Sequence, residues 1–258
     1  MDREANVGGI LSQTFETLGA AAKAVALYII VLGVFSGIGG FLGLVMANGD
    51  FFSASWMDGE WQVAPDYADG AGAAFIGLYS IASVVLYVVA SYLLLRQYLI
   101  GVGRPIAPGS RFWVFLLMSI LALIGMTIGF MLLIVPGLIL LCRWAAANGM
   151  AISRGAGITE SLSESWDATS GRGLSIFLAG LVLVIALGVL SSMVAAPIGA
   201  ILMQPGMTEF GNLSLTAGLL VAVQSFTETL SNAVMLALSI AVFHLVSPSD
   251  EGMAEVFE

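Results

Sequence analysis

Polar and apolar positions along this chain are sorted into long charge-free runs and short charged connections. The first run follows Lys23 and stops before Asp50, and the second lies between Asp69 and Arg96. The third follows Arg111 and reaches Ser153, broken only by Arg143. A helix rises about 1.5 Å per residue and a hydrocarbon core is about 30 Å thick, so one crossing takes about 20 residues. The run 112–153 would make about 63 Å of helix, twice that requirement. Pro136-Gly137 inside it is a place where a helix breaks, which predicts a tight hairpin with Pro136 and Gly137 as its structural turn. The pattern therefore predicts six spans, over 24–47, 71–96, 112–135, 137–153, 173–203 and 213–247. Pro197 marks a kink or an end in the fifth. The sixth, about 50 Å long, exceeds one crossing, so its first turns are expected at the interface or beyond it.

Two shorter stretches have helical periodicity with one apolar face. In 5–19 that face carries Val7, Leu11, Phe15 and Leu18; in 158–170 it carries Ile158, Leu162, Trp166 and Thr169. Ile10-Leu11-Ser12-Gln13-Thr14-Phe15-Glu16 also aligns with Ser161-Leu162-Ser163-Glu164-Ser165-Trp166-Asp167, identical at Leu and Ser and matched in kind at the next four positions. Each stretch leads into a long apolar span. A parallel internal repeat is expected, two units of amphipathic helix plus membrane hairpin with 112–153 inserted between them. Thr159 or Ser161 is placed to cap the second stretch. The polar faces are acidic, unlike those of helices that anchor to anionic lipid, so packing under the bundle or against a partner is expected.

Composition agrees with this reading. Of 258 residues 59% are hydrophobic and 10% charged, far below the roughly 25% charged of a soluble domain. Eight basic residues against seventeen acidic ones give a net charge of −9, which excludes a nucleic-acid surface. The basic residues other than Arg143 fall in the N-terminal segment and in the 96–111 and 154–172 connections, while 47–71 carries five acids and no base. By the positive-inside rule both termini are expected in the cytoplasm, with the acidic tail 248–258 not opposing this. Residues 1–19 lack the basic, apolar and small-residue order of a signal peptide, so the first span is expected to stay. The outer loop mixes Phe51, Phe52, Trp56, Trp61 and Tyr67 with its acids and is expected to lie on the outer surface.

Chemistry-bearing patterns are sparse. One histidine, His244, and one cysteine, Cys142, give no metal site, and no nucleotide or hydrolase motif stands in a suitable context. No catalytic residue, cofactor or metal is nominated. The charges inside apolar runs are Arg143 and Glu228, both placed by residue counting in the outer half of the bilayer. Gln224, Glu228 and Asn232 form one face of the sixth span. An ionised side chain there needs a partner or water, so Arg143 and Glu228 are expected to pair or to line one polar cavity. The residues alone admit a substrate or ion path, an interhelical hydrogen-bonded contact, or a wet interfacial position for Glu228. Gly33/Gly37, Gly125/Gly129 and Gly188/Ser192 have the spacing that lets membrane helices pack closely.

Val135-Pro136-Gly137-Leu138, Arg143-Trp144, Ala147, then Ile158-Thr159-Glu160-Ser161-Leu162, Ser165-Trp166 and Thr169-Ser170-Gly171-Arg172 form a longer pattern. It resembles the membrane domain of bacterial glycerophosphoryl diester phosphodiesterases and the related YciC-type inner-membrane proteins. Ile10-Leu11-Ser12-Gln13-Thr14-Phe15 is similar to the opening of that group. Ser161 stands where the group usually has Ala, and Phe243-His244-Leu245-Val246 replaces an aromatic-acidic-basic ending. The soluble phosphodiesterase domain has no counterpart here, so its activity does not carry over. The resemblance implies a bacterial inner-membrane module. The expected role is a non-catalytic scaffold or accessory subunit packing against lipids or a protein partner, with oligomeric state open. The alternative is a small transporter or lipid-handling protein using Arg143 and Glu228.

Overall fold

The computed structural model describes residues 5–46, 70–202 and 215–247. Every regular element among them is helical. The elements are α1 (Val7–Ala20), α2 (Ala22–Met46), α3 (Gly70–Gly101), α4 (Phe112–Leu132), α5 (Ile134–Arg143) and the short α6 (Ala147–Gly149), which continues as a π-helical turn, Met150–Arg154. They are followed by α7 (Ile158–Ala168), α8 (Gly173–Leu202) and α9 (Leu215–Val246). Among the described residues six segments are long and apolar enough to cross a membrane: Ala22–Gly43, Ala74–Gly101, Phe112–Leu132, Ile134–Arg154, Gly173–Ala200 and Gly218–Val246. This is an all-α, multi-spanning membrane protein. The acidic-aromatic loop 47–69, the 203–214 connection and the tail 248–258 lie outside the described residues.

The distribution of side chains is that of a protein solvated by hydrocarbon. Met131 (82% exposed), Leu132, Leu174, Leu78 and Ile134 stand outward, while Thr14, Thr17, Ser161, Ser165 and Thr169 are fully buried. Water would drive the opposite sorting. The inward hydroxyls do not go unpaired. Thr14, Thr17 and Thr169 donate to the carbonyls of Ile10, Gln13 and Ser165 one turn earlier.

The chain forms two compact units. One comprises 1–25, 90–185 and 232–258. Its core is made by Leu95, Tyr98 and Leu99 of α3, Met118 of α4, Met150 and Ile152 of the π turn, and Ile240 and Phe243 of α9. The Tyr98 hydroxyl donates to the Ala233 carbonyl, tying α3 to α9. Gly149 lies against the Phe243 ring so closely that a Cβ would fall on it. The other unit comprises 26–89 and 186–231. There Gly33 packs on Phe226, with a ring atom 2.7 Å from where a Cβ would lie, and Gly37 faces Ala222 and Ser225. Phe35 and Tyr79 stack at 4.7 Å, and the Tyr79 hydroxyl donates to the Phe35 carbonyl.

Several boundaries differ from the predicted ones. The 112–153 hairpin turns at Leu133, in extended conformation (φ −162°, ψ 150°), not at Pro136-Gly137. Those two residues sit in the first turn of α5, where the backbone N–H that proline lacks has no helical acceptor anyway. Gly137 instead allows the close approach of α4: a Cβ on Gly129 would lie 3.1 Å from the Gly137 Cα. The 137–153 span is not one helix, being interrupted at Trp144–Ala146. The second span runs on past 96 to Gly101 because Tyr98 and Leu99 are still core residues, which puts Arg96 in a helix rather than a connection. The fifth span continues through Pro197 to Leu202. Gly188 has nothing within 4 Å of a built Cβ, so no described residue of this chain packs on it.

The amphipathic helices also present faces different from the predicted ones. In α1 the buried residues are Ile10, Gln13, Thr14 and Thr17, with Phe15 61% exposed; in α7 they are Ser161, Leu162, Ser165 and the following Thr169, with Trp166 40% exposed. Hydroxyls face protein and aromatics face outward. The aligned pairs Ile10/Ser161 and Thr14/Ser165 are buried, and Phe15/Trp166 exposed, in both helices. Gly157, not Thr159 or Ser161, caps α7: Glu160 reaches back to accept from the Gly157 N–H at 2.9 Å.

Two substitutions test this packing. Gly149→Ala is expected to cost about 1–3 kcal/mol by overpacking against a ring with no room to move, and Phe243→Leu should recover part of the loss. Pro136→Ala should change stability by less than about 0.5 kcal/mol. Thermal unfolding of the detergent-solubilised protein measures both, and a large loss at Pro136 would restore it as the hairpin's turn.

Candidate functional site

Arg143 closes α5. Its Nη1 donates to the Trp166 carbonyl at 3.5 Å, and its guanidinium lies 5.2 Å from the centre of the Trp166 ring. The chain turns just after it, and α7 stitches that turn. The Ser165 hydroxyl donates to the Arg143 carbonyl at 2.7 Å and accepts from the Ala146 N–H at 3.1 Å. The Thr169 hydroxyl, whose one proton is shared with the Ser165 carbonyl at 2.8 Å, also lies 3.1 Å from the Arg143 carbonyl. These bonds satisfy carbonyl and amide groups that a helix end would otherwise leave unpaired in an apolar medium. Arg143 is therefore at the α5–α7 joint, about 15 Å along α5 from the hairpin turn, and not near the turn as residue counting placed it.

Glu228 lies on α9 in the other unit. It and Gln224 are exposed, and Asn232 is half-buried. The proposed polar stripe is thus not covered by a neighbouring helix at Gln224 and Glu228. Beside it, Thr227 and Ser231 donate to the Val223 and Thr227 carbonyls of α9 itself.

Arg104 does at α9 what α7 does at α5. Its Nη2 donates to the His244 and Ser247 carbonyls at 3.0 and 2.7 Å, its Nε to His244 Nδ1 at 3.2 Å, and its guanidinium lies over the Phe243 ring at 5.5 Å. A cation at the carbonyl end of a helix both fills hydrogen bonds and opposes the helix dipole. The 104–111 segment is held to the π turn as well, Ala107 N–H donating to the Ile152 carbonyl and the Ser153 hydroxyl to the Pro105 carbonyl. Arg154 pairs with Glu164 at 3.7 Å.

Within the same unit, α4, α5, α8 and α9 enclose an open cavity of about 550 Å³. Its walls include Met118, Met126, Trp144, Phe177 and Met235, and none of the described side chains that line it is charged. Its outer residues Leu141, Leu181 and Val184 are apolar and 42%, 40% and 54% exposed. The polar side chains in it are Ser119, Asn148 and Ser239. The Ser239 hydroxyl donates to the Ala145 carbonyl at 2.7 Å and accepts from Asn148 Nδ2 at 3.1 Å. Its size lies within the roughly 300–1,000 Å³ of small-molecule sites.

Sequence reasoning did not find this cavity. Asn148 and Ser239 are polar residues of the third and last apolar runs, the kind of residue that joins helices in lipid, but they stand there among other polar residues, Arg143, Gln224 and Glu228 included. The apolar walls carry no signal, because a wall residue and a lipid-facing residue look the same in sequence. Comparison with protein-family models, with curated proteins and with solved structures gives no match to this chain.

Ser165→Ala removes two hydrogen bonds at a fully buried position and should cost about 1–3 kcal/mol, whereas Ser163→Ala, on the exposed face of α7, should be silent. Equal effects in detergent unfolding would mean that α7 does not hold the end of α5.

Proposed function

We propose that this protein is a non-catalytic accessory module of the bacterial inner membrane, with both termini in the cytoplasm, that takes a lipid-class apolar guest between α4, α5, α8 and α9. The single observation that carries this reading is the cavity: about 550 Å³, uncharged, with an apolar rim. An ionic or sugar substrate would lose its hydration there without compensation, whereas an acyl or isoprenoid chain would not. Of the two charges a transport path would use, Arg143 is instead engaged at a helix end and Glu228 stands exposed on α9, away from the cavity lining. The distribution of arginines over the connections supports the orientation. The resemblance to the membrane domain of glycerophosphoryl diester phosphodiesterases and to YciC-type proteins supports a bacterial inner-membrane setting and a role beside other membrane components.

Gly180 offers the test. A Cβ there would meet only Leu238, at 3.7 Å, so a side chain fits and a long one fills the cavity. Native mass spectrometry of the gently extracted protein should find retained lipid, and Gly180→Leu should lose it while remaining folded and monodisperse. Equal retention by both proteins would reject the cavity as the site.

A further inference from the structure

The hydrogen bonds at the cavity fix the orientation of one amide. Ser239 has a single hydroxyl proton, and it goes to the Ala145 carbonyl at 2.7 Å. The Ser239 oxygen can then only accept from Asn148, which it does at 3.1 Å, so the group facing Ser239 is the Asn148 NH₂. The Asn148 carbonyl oxygen is left over, with no protein donor among the described residues. A second polar group shares this situation. The Ser119 hydroxyl lines the same cavity and makes no hydrogen bond among the described residues. Neither atom is among the enclosed polar atoms without a partner, so both are reachable by a guest.

An amide carbonyl and a hydroxyl left open in an otherwise apolar, uncharged cavity within a membrane protein are expensive unless something fills them. Resting on the reading that the cavity takes an apolar guest, we propose that its ligand is a neutral lipid alcohol: a hydrocarbon chain along the walls and one free hydroxyl that donates to Asn148 Oδ1 and exchanges a hydrogen bond with Ser119. A free hydroxyl is the group that meets both demands, since Asn148 Oδ1 requires a donor and Ser119 takes either role. A carboxylate or phosphate is disfavoured because no cation lines the cavity. A bare hydrocarbon would leave both groups unpaired.

The probes are 1-hexadecanol and its methyl ether, which share the chain and differ in the donor. Each is added to the delipidated full-length protein in detergent, and retention is read by native mass spectrometry. The alcohol should be retained about five- to tenfold better than the ether, the worth of one hydrogen bond in a low-dielectric site. Asn148→Leu should abolish this preference while leaving ether retention intact, Ser119→Ala, which removes a hydroxyl able to donate to either oxygen, should lower retention of both probes, and Gly180→Leu should lose both. The comparison of alcohol with ether on the natural protein keeps the test open if Asn148→Leu fails to fold. Equal retention of alcohol and ether by the natural protein would overturn the alcohol assignment and leave the cavity reading standing. Retention of neither, at the level of Gly180→Leu, would overturn both.

Discussion

Backbone carbonyls and amides at helix ends have nowhere to go in hydrocarbon, and in this protein the scarce polar side chains are spent on them. A helix leaves four carbonyls and four amides unpaired, and lipid supplies neither donor nor acceptor. Arg104 closes α9, Ser165 and Thr169 close α5, and Glu160 closes the start of α7. The α5–α7 joint and the 104–111 segment follow from these closures. So does the inward turning of Ser165 and Thr169 on α7, which leaves Trp166 outside. In water the same helices would bury the aromatics and wet the hydroxyls.

The number of spans was legible because length and charge set it. A charge-free run is long enough to cross or it is not, and each of the six apolar runs is met by a helix or, for 137–153, by a chain of short helical pieces. The turn was not legible. Pro136-Gly137 reads as a break, yet a proline in the first turn of a helix costs no hydrogen bond, so the chain reverses earlier, at Leu133. The amphipathic faces were misread for a related reason. Periodicity shows that a helix has two faces; which one meets protein depends on whether the other meets water or lipid. The correspondence of α1 and α7 in burial at aligned positions follows the alignment of their sequences, although Phe15 and Trp166 of the predicted apolar faces are exposed while Leu162 and Thr169 are buried.

The polar site was less legible than the fold. Charge drew attention to Arg143 and Glu228, but the geometry gives Arg143 a local task at a helix end and leaves Glu228 exposed on α9. The cavity depends on quieter residues. Asn148 follows a break in helix, and Ser239 stands in the middle of α9; what joins them is a three-dimensional arrangement that also includes the Ala145 carbonyl. No single-sequence pattern encodes such a junction. The small residues are partly similar: Gly149 and Gly33 admit aromatic rings, whereas Gly188, with the same spacing signal as Gly33, meets no described residue of this chain.

The central claim is that the apolar surface is solvated by acyl chains, with the 104–111 and 169–172 connections on one side of the bilayer and the α4–α5 turn on the other. Single cysteines at Ser110, Ser170 and Leu133, in a Cys142→Ser background and in sealed inside-out and right-side-out vesicles, test it with a membrane-impermeant maleimide. Labelling of positions 110 and 170 from the cytoplasmic face alone, and of 133 from the opposite face alone, is the predicted result. Labelling of all three from one face would contradict it.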